Sequence, residues 1–124
     1  MLWSGLLVLF LLGFEAFPNM LLRPLENRYP VPQPQDITSH PGFIVLGGAT
    51  GHPNSFLEHG QVPLGGAAER MTVPVAWMRS NKHFELVFSG GEGRMIKTGT
   101  TEATLAGAFY KEQGLDMQRV RLED

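Results

Sequence analysis

The chain contains no cysteine, which excludes disulfides, thiolate metal sites and cysteine nucleophiles and removes the residue that would report on the redox compartment. Charge is also scarce. Only 18% of residues are Asp, Glu, Lys or Arg against 43% hydrophobic, the balance of a packed chain with some membrane character. Its ten basic residues are scattered and the net charge is −2, so there is no electrostatic footprint for a phosphate backbone and nucleic acid is not an expected partner. The familiar nucleotide and hydrolase signatures are missing too. Neither G-x-G-x-x-G nor P-loop spacing occurs, and no G-x-S-x-G elbow, so a dinucleotide fingerprint, a P-loop triphosphate site and a hydrolase nucleophile are unsupported. What is abundant is glycine, with fifteen residues, and proline, with nine. They gather between apolar runs, as in a turn-rich α/β chain of one domain rather than a helical bundle.

Residues Leu2 to Phe14 are apolar apart from Ser4 and two glycines, shorter than the roughly 20 residues that cross a hydrocarbon core. Glu15 and Pro18 interrupt the run. Extended to Leu22 with one helix break, it is long enough, with Trp3 at one interface and Arg23 at the other. The expectation is a membrane anchor over residues 1–22 that contacts lipid. A cleaved signal peptide would want a basic start and a small-residue cleavage site, and the chain begins Met-Leu-Trp-Ser; a buried core helix is the third reading. From Arg23 to Pro41, five prolines among polar residues argue against regular helix and for an extended linker over residues 23–41.

Residues 42–124 then read as strand, helix, strand, helix, strand. Phe43-Ile-Val-Leu46 and Phe84-Glu-Leu-Val-Phe88 are short apolar runs that end in Gly47-Gly48 and Ser89-Gly90-Gly91, as buried parallel strands feeding tight turns would. Arg119-Val-Arg-Leu122 alternates, which suggests a strand nearer an edge. The first helix covers roughly Ala67 to Ser80 and contains Pro74. Either it is kinked there, or it starts late with Thr72 as cap and Pro74 in its first turn. For the second, Thr100 or Thr101 can cap, Ala103, Leu105, Ala106, Phe109 and Tyr110 supply an apolar face, and Gly114 stops it. The fold class is therefore α/β with a parallel sheet of doubly wound type, here an incomplete β-α-β-α-β half.

Ligands of open parallel sheets bind beyond the carboxyl ends of the strands, where both glycine turns fall. Gly47, Gly48, Ser89, Gly90 and Gly91 are thus expected along one rim, with N–H groups that can hold an anion such as phosphate; the plainer reading is that a strand-to-loop turn needs glycine. Arg70 could fork onto phosphate or carboxylate, and Glu102, in the first turn of the second helix, is a candidate general acid or base. Their plain alternatives are a surface ion pair and a carboxylate that complements a helix N-terminus. Glu123 ends the third strand and joins the rim by topology. Ser89 has no evident histidine base. In the long Gly48 to Gly66 loop, a candidate cover, His52 and His59 have only Glu58 beside them, which is poor metal chemistry, so no metal is expected.

One set of motifs, in order, resembles the bacterial YdcF, SanA and ElyC group. It comprises Leu25-Glu26 with Arg28-Tyr29-Pro30 after an apolar segment, Ile44-Val-Leu-Gly-Gly48, Glu69-Arg70, Val87-Phe-Ser-Gly-Gly91, Thr101-Glu102-Ala103, and Val120 to Glu123. The resemblance implies a doubly wound domain tied to the cytoplasmic membrane and concerned with cell-wall or surface-polysaccharide biogenesis. It also implies a phosphate-bearing or nucleotide-like ligand, nucleotide or S-adenosylmethionine as cofactor, and a site built from the rim, Arg70 and Glu102. Two readings follow, a domain that binds and transforms such a ligand and a non-catalytic scaffold or regulator. Relatives continue past the position of Glu123, so the chain is expected to match their N-terminal two-thirds, with an inactive fragment as a third reading. Arg23 and Arg28 would hold the domain in the cytoplasm by the positive-inside rule, whereas the resemblance implies the periplasm.

Overall fold

The computed structural model describes residues 2–93 and 99–124. It divides into two compact units, Met1–Pro34 and Gln35–Asp124.

In the first unit, helix α1 (Leu2–Leu12) ends at Gly13, whose N–H bonds the carbonyls of Leu9 and Phe10. Helix α2 (Ala16–Glu26) follows at a bend of 63°. The helix break expected within the apolar stretch over residues 1–22 falls at Gly13–Glu15 and divides it into two helices, the second running on to Glu26, and no single helix among the described residues is long and apolar enough to cross a membrane. The pair together has the required length and composition. Helix α2 also runs through Pro24 to Glu26, and a short α3 (Pro34–Thr38) opens on a proline. The linker is thus less extended than its prolines suggest. Pro34 stands at the first helical position, where its missing N–H has no intrahelical acceptor to lose.

The second unit is a three-stranded, all-parallel sheet in the order β1 (Gly42–Leu46), β2 (Glu85–Ser89), β3 (Val120–Glu123). The register puts Leu46 beside Ser89 and Ser89 beside Glu123, so all three strands end level. Alternation sends Phe43, Val45, Leu86, Phe88 and Val120 to one face, where α5 (Glu69–Ser80) and α6 (Glu102–Glu112) cover them. Met71, Val75 and Met78 from α5 and Ala103, Ala106, Phe109 and Tyr110 from α6 complete this core. Burying each large side chain contributes about 1.5–3 kcal/mol. Gly107 lets α6 approach the sheet closely, since a Cβ there would lie 2.6 Å from Leu122 Cδ1. Tyr110 has its hydroxyl 3.7 Å from Met71 Sδ, and burial pushes its phenol well above the ordinary value.

Helix α5 begins at Glu69 and continues through Pro74, which is buried, rather than starting at Thr72. Its far end is tied down by Arg119, whose guanidinium donates to the carbonyls of Asn81 (2.9 Å), Phe84 (3.0 Å) and Met78 (3.3 Å). Those are carbonyls at the helix C-terminus and the start of β2, which a cation suits. The opposite face of the sheet is different. Ile44 and Leu46 are 69% and 65% exposed there, beside Val87 and the Arg121–Glu85 ion pair (3.6 Å). Among the described residues of this unit the sheet has one helical layer, whereas a doubly wound domain has two.

Candidate functional site

The level strand ends bring the two glycine turns together at one edge, and their chemistry differs. In the first turn, Gly47 donates its N–H to the Ser89 carbonyl at 2.8 Å, which continues the sheet by one more bond. The next peptide, between Gly47 and Gly48, is gripped at both ends. Arg70 Nη1, from the first turn of α5, donates to the Gly47 carbonyl at 3.1 Å. Glu102 Oε2, from the first turn of α6, accepts the Gly48 N–H at 2.7 Å. A trans peptide points its C=O and N–H in opposite directions. The guanidinium and the carboxylate are therefore held on opposite sides of the turn and do not neutralise one another.

This grip has local requirements that the sequence meets. Gly48 sits at φ 94°, a conformation L side chains rarely adopt. Gly47 lacks a Cβ because one would run into Glu102 Oε2 and come within 3.1 Å of Gly90 Cα. Thr50 adds a longer contact from its hydroxyl to Glu102 Oε1, 3.4 Å. It is positioned by the return of the loop, where Gly51 N–H meets the Pro63 carbonyl (2.7 Å) and Gly65 N–H the Ala49 carbonyl (2.8 Å).

The second turn is held by backbone bonds to β3 and to the start of α6. Gly90 donates its N–H to the Glu123 carbonyl (2.9 Å), and the carbonyls of Gly90 and Gly91 accept the N–H groups of Ala103 (2.8 Å) and Glu102 (3.4 Å). The Thr101 hydroxyl accepts from Thr104 N–H at 3.1 Å. The first donors of α6 are all taken, so an anion finds few free N–H groups at this helix start.

Of the residues expected at the rim, Gly47, Gly48, Arg70 and Glu102 converge. Ser89 and Glu123 reach the same edge through their backbones, but the strand alternation puts their side chains on the uncovered sheet face beside Leu46. The expectation of one rim of free N–H donors is thus corrected, because Gly48 N–H is held by Glu102 and Gly90 N–H by Glu123. The plain alternatives fare differently, for Glu102 does stand in the first turn of α6 and complements its N-terminus. Arg70 makes no ion pair among the described residues, and Glu102 also reaches across to the Gly47–Gly48 turn. Thr50 was missed, for nothing in Gly-Gly-Ala-Thr announces a contact 52 residues away. In the long loop, helix α4 (Pro53–His59) is capped by His52 Nδ1, which accepts from Asn54 N–H at 3.2 Å, and His59 lies 3.9 Å from Glu58 at the surface. Of that loop, Thr50 is the residue bonded to the site. Among the described residues no three metal-ligating side chains gather.

Comparisons with protein-family models, with curated proteins and with solved structures find no match.

Proposed function

We propose that the α/β unit binds a small, phosphate-bearing and hydroxylated molecule, nucleotide-like in chemistry, across the Gly47–Gly48 turn. The observation that carries this reading is the single peptide gripped by Arg70 at one end and Glu102 at the other. Arg70 is exposed and has guanidinium N–H groups beyond the one on Gly47, suited to a phosphate fork. Glu102 is an acceptor with lone pairs to spare for a ligand hydroxyl. Gly48 and Arg70 are exposed at an open edge, which favours binding over a closed catalytic chamber. A role for Glu102 as acid or base, and S-adenosylmethionine as an alternative ligand, belong to the same proposal.

The unit is proposed to work at a bacterial cytoplasmic membrane, on the periplasmic side, in envelope biogenesis of the YdcF and ElyC kind. Supporting the membrane part, α1 exposes apolar side chains all round, among them Trp3 (82%), Leu9 (70%) and Phe10 (63%). The motif order described above supports the rest. A non-catalytic regulator is the companion reading, favoured by the openness of the same edge.

Calorimetric titration of the full chain in detergent with adenosine 5′-monophosphate, ribose 5-phosphate and inorganic phosphate tests the site. Arg70→Ala is expected to weaken all three by about tenfold or more, near 1.4 kcal/mol. Glu102→Gln is expected to weaken only the two hydroxylated ligands. Wild-type affinities in both variants would refute the assignment.

A further inference from the structure

The two helices of the first unit differ in how they distribute polarity. Helix α1 is apolar on every side apart from Ser4, whereas α2 sorts its residues by face. Successive residues of a helix turn by about 100°, so Asn19, Arg23 and Glu26 fall within one stripe about 60° wide, and Asn27 at the helix end extends it. Phe17, Leu21 and Leu25 occupy the opposite side, flanked by Pro18 and Leu22. Leu21, Leu22 and Leu25 are exposed, so no element of the unit covers them. Arg23 and Glu26 make no ion pair among the described residues.

Two further features of the stretch argue against α2 as the inner half of a span. Glu15 stands at the bend and Asn19 one turn later, and an ionisable group is costly inside hydrocarbon. Pro24 has no N–H to give the Met20 carbonyl. Water can serve that carbonyl at a bilayer surface and cannot in the bilayer core.

We propose that α2 is an interfacial helix, lying along the membrane surface with Phe17, Leu21 and Leu25 among the upper acyl chains and Asn19, Arg23 and Glu26 toward water. The inference rests on the membrane reading given above and assigns α2 its own place in it. Lipid is the occupant of the apolar face because α1, three residues away, is apolar all round and brings α2 to the same bilayer. The bend agrees. At 63° it leaves α2 about 27° short of perpendicular to α1, and membrane helices tilt by roughly 0–40°, so a tilted α1 lays α2 flat. The outer stripe carries one charge of each sign, so α2 is held by apolar burial and needs no anionic lipid. Stripe, bend and proline all lie within residues 13–27, which makes the placement independent of the length of the apolar segment before them.

Spin labelling tests the placement, and the absence of native cysteine makes each introduced thiol the single one. Phe17→Cys, Asn19→Cys, Leu21→Cys, Arg23→Cys and Leu25→Cys, with Leu9→Cys in α1, are labelled in the full chain and reconstituted into phosphatidylcholine vesicles. Relaxation by oxygen, which concentrates in hydrocarbon, is then compared with relaxation by a water-soluble nickel chelate. The oxygen-to-nickel ratio is expected to alternate with the helical turn, at least about threefold higher at 17, 21 and 25 than at 19 and 23. A steady gradient from 17 to 25 would show a helix crossing the bilayer and overturn the proposal while leaving the membrane reading intact. Nickel access at all five positions of α2, with Leu9→Cys in hydrocarbon, would overturn it equally. Nickel access at Leu9→Cys as well would remove the membrane reading, and the interfacial helix with it.

Discussion

The two glycine turns look alike in sequence and sit level at the same sheet edge, yet they are held by different means. Ser89–Gly91 is fixed by backbone alone, through Glu123 and the start of α6. Gly47–Gly48 is fixed by two charged side chains from two helices. A turn satisfied by backbone has little left to offer a ligand. One held by a guanidinium and a carboxylate has charged groups in place that a ligand can share. The difference is the basis for proposing a site at Gly47–Gly48, and it can be tested turn by turn.

The largest expected effect is Gly47→Ala, where the new Cβ meets Glu102 Oε2 and Gly90; denaturant unfolding should show a loss of about 1–3 kcal/mol, typical of overpacking. Gly91→Ala, whose Cβ would have its nearest neighbour at 3.7 Å, should stay within about 0.5 kcal/mol of wild type. Equal losses would erase the contrast between the turns. Next comes Gly48→Ala, which forces a Cβ onto φ 94° and should cost about 1–2 kcal/mol by the same measurement. Glu102→Ala removes the acceptor of one N–H and is expected to cost about 1 kcal/mol. Its sharper readout is amide hydrogen exchange, which should speed up at Gly48 and stay unchanged at Gly90. Smallest of all is Arg70→Ala, an exposed residue with one backbone bond, expected within about 0.5 kcal/mol in stability while its effect on ligand affinity is large.

Much of the α/β frame was legible because its signals are local. Apolar runs stopped by glycine marked β1 and β2 to within a residue, and Thr101 with Ala103, Ala106 and Tyr110 marked α6. Proline was the ambiguous letter. Of the two readings Pro74 left open, the helix that contains it holds and the late start at Thr72 does not, burial against the core outweighing one lost hydrogen bond, whereas Pro24 suggested an end to helix and stands inside α2. The residues that meet at the first turn were legible by residue type and strand end, so Gly47, Gly48, Arg70 and Glu102 could be named. How they meet was not. That Glu102 takes Gly48 N–H, and that Ser89 and Glu123 send their side chains to the other face, depends on register and on helix placement, which no single segment encodes.

The most direct test of the central claim is an amide chemical-shift titration of the chain in detergent micelles with adenosine 5′-monophosphate. The account predicts saturable shifts largest at Gly47 and Gly48, accompanied by the Arg70 side-chain Nε–H, with Gly90 and Gly91 moving little. Shifts centred on Gly90 and Gly91 while Gly47, Gly48 and Arg70 stay still, or no saturable shift at either turn, would contradict it.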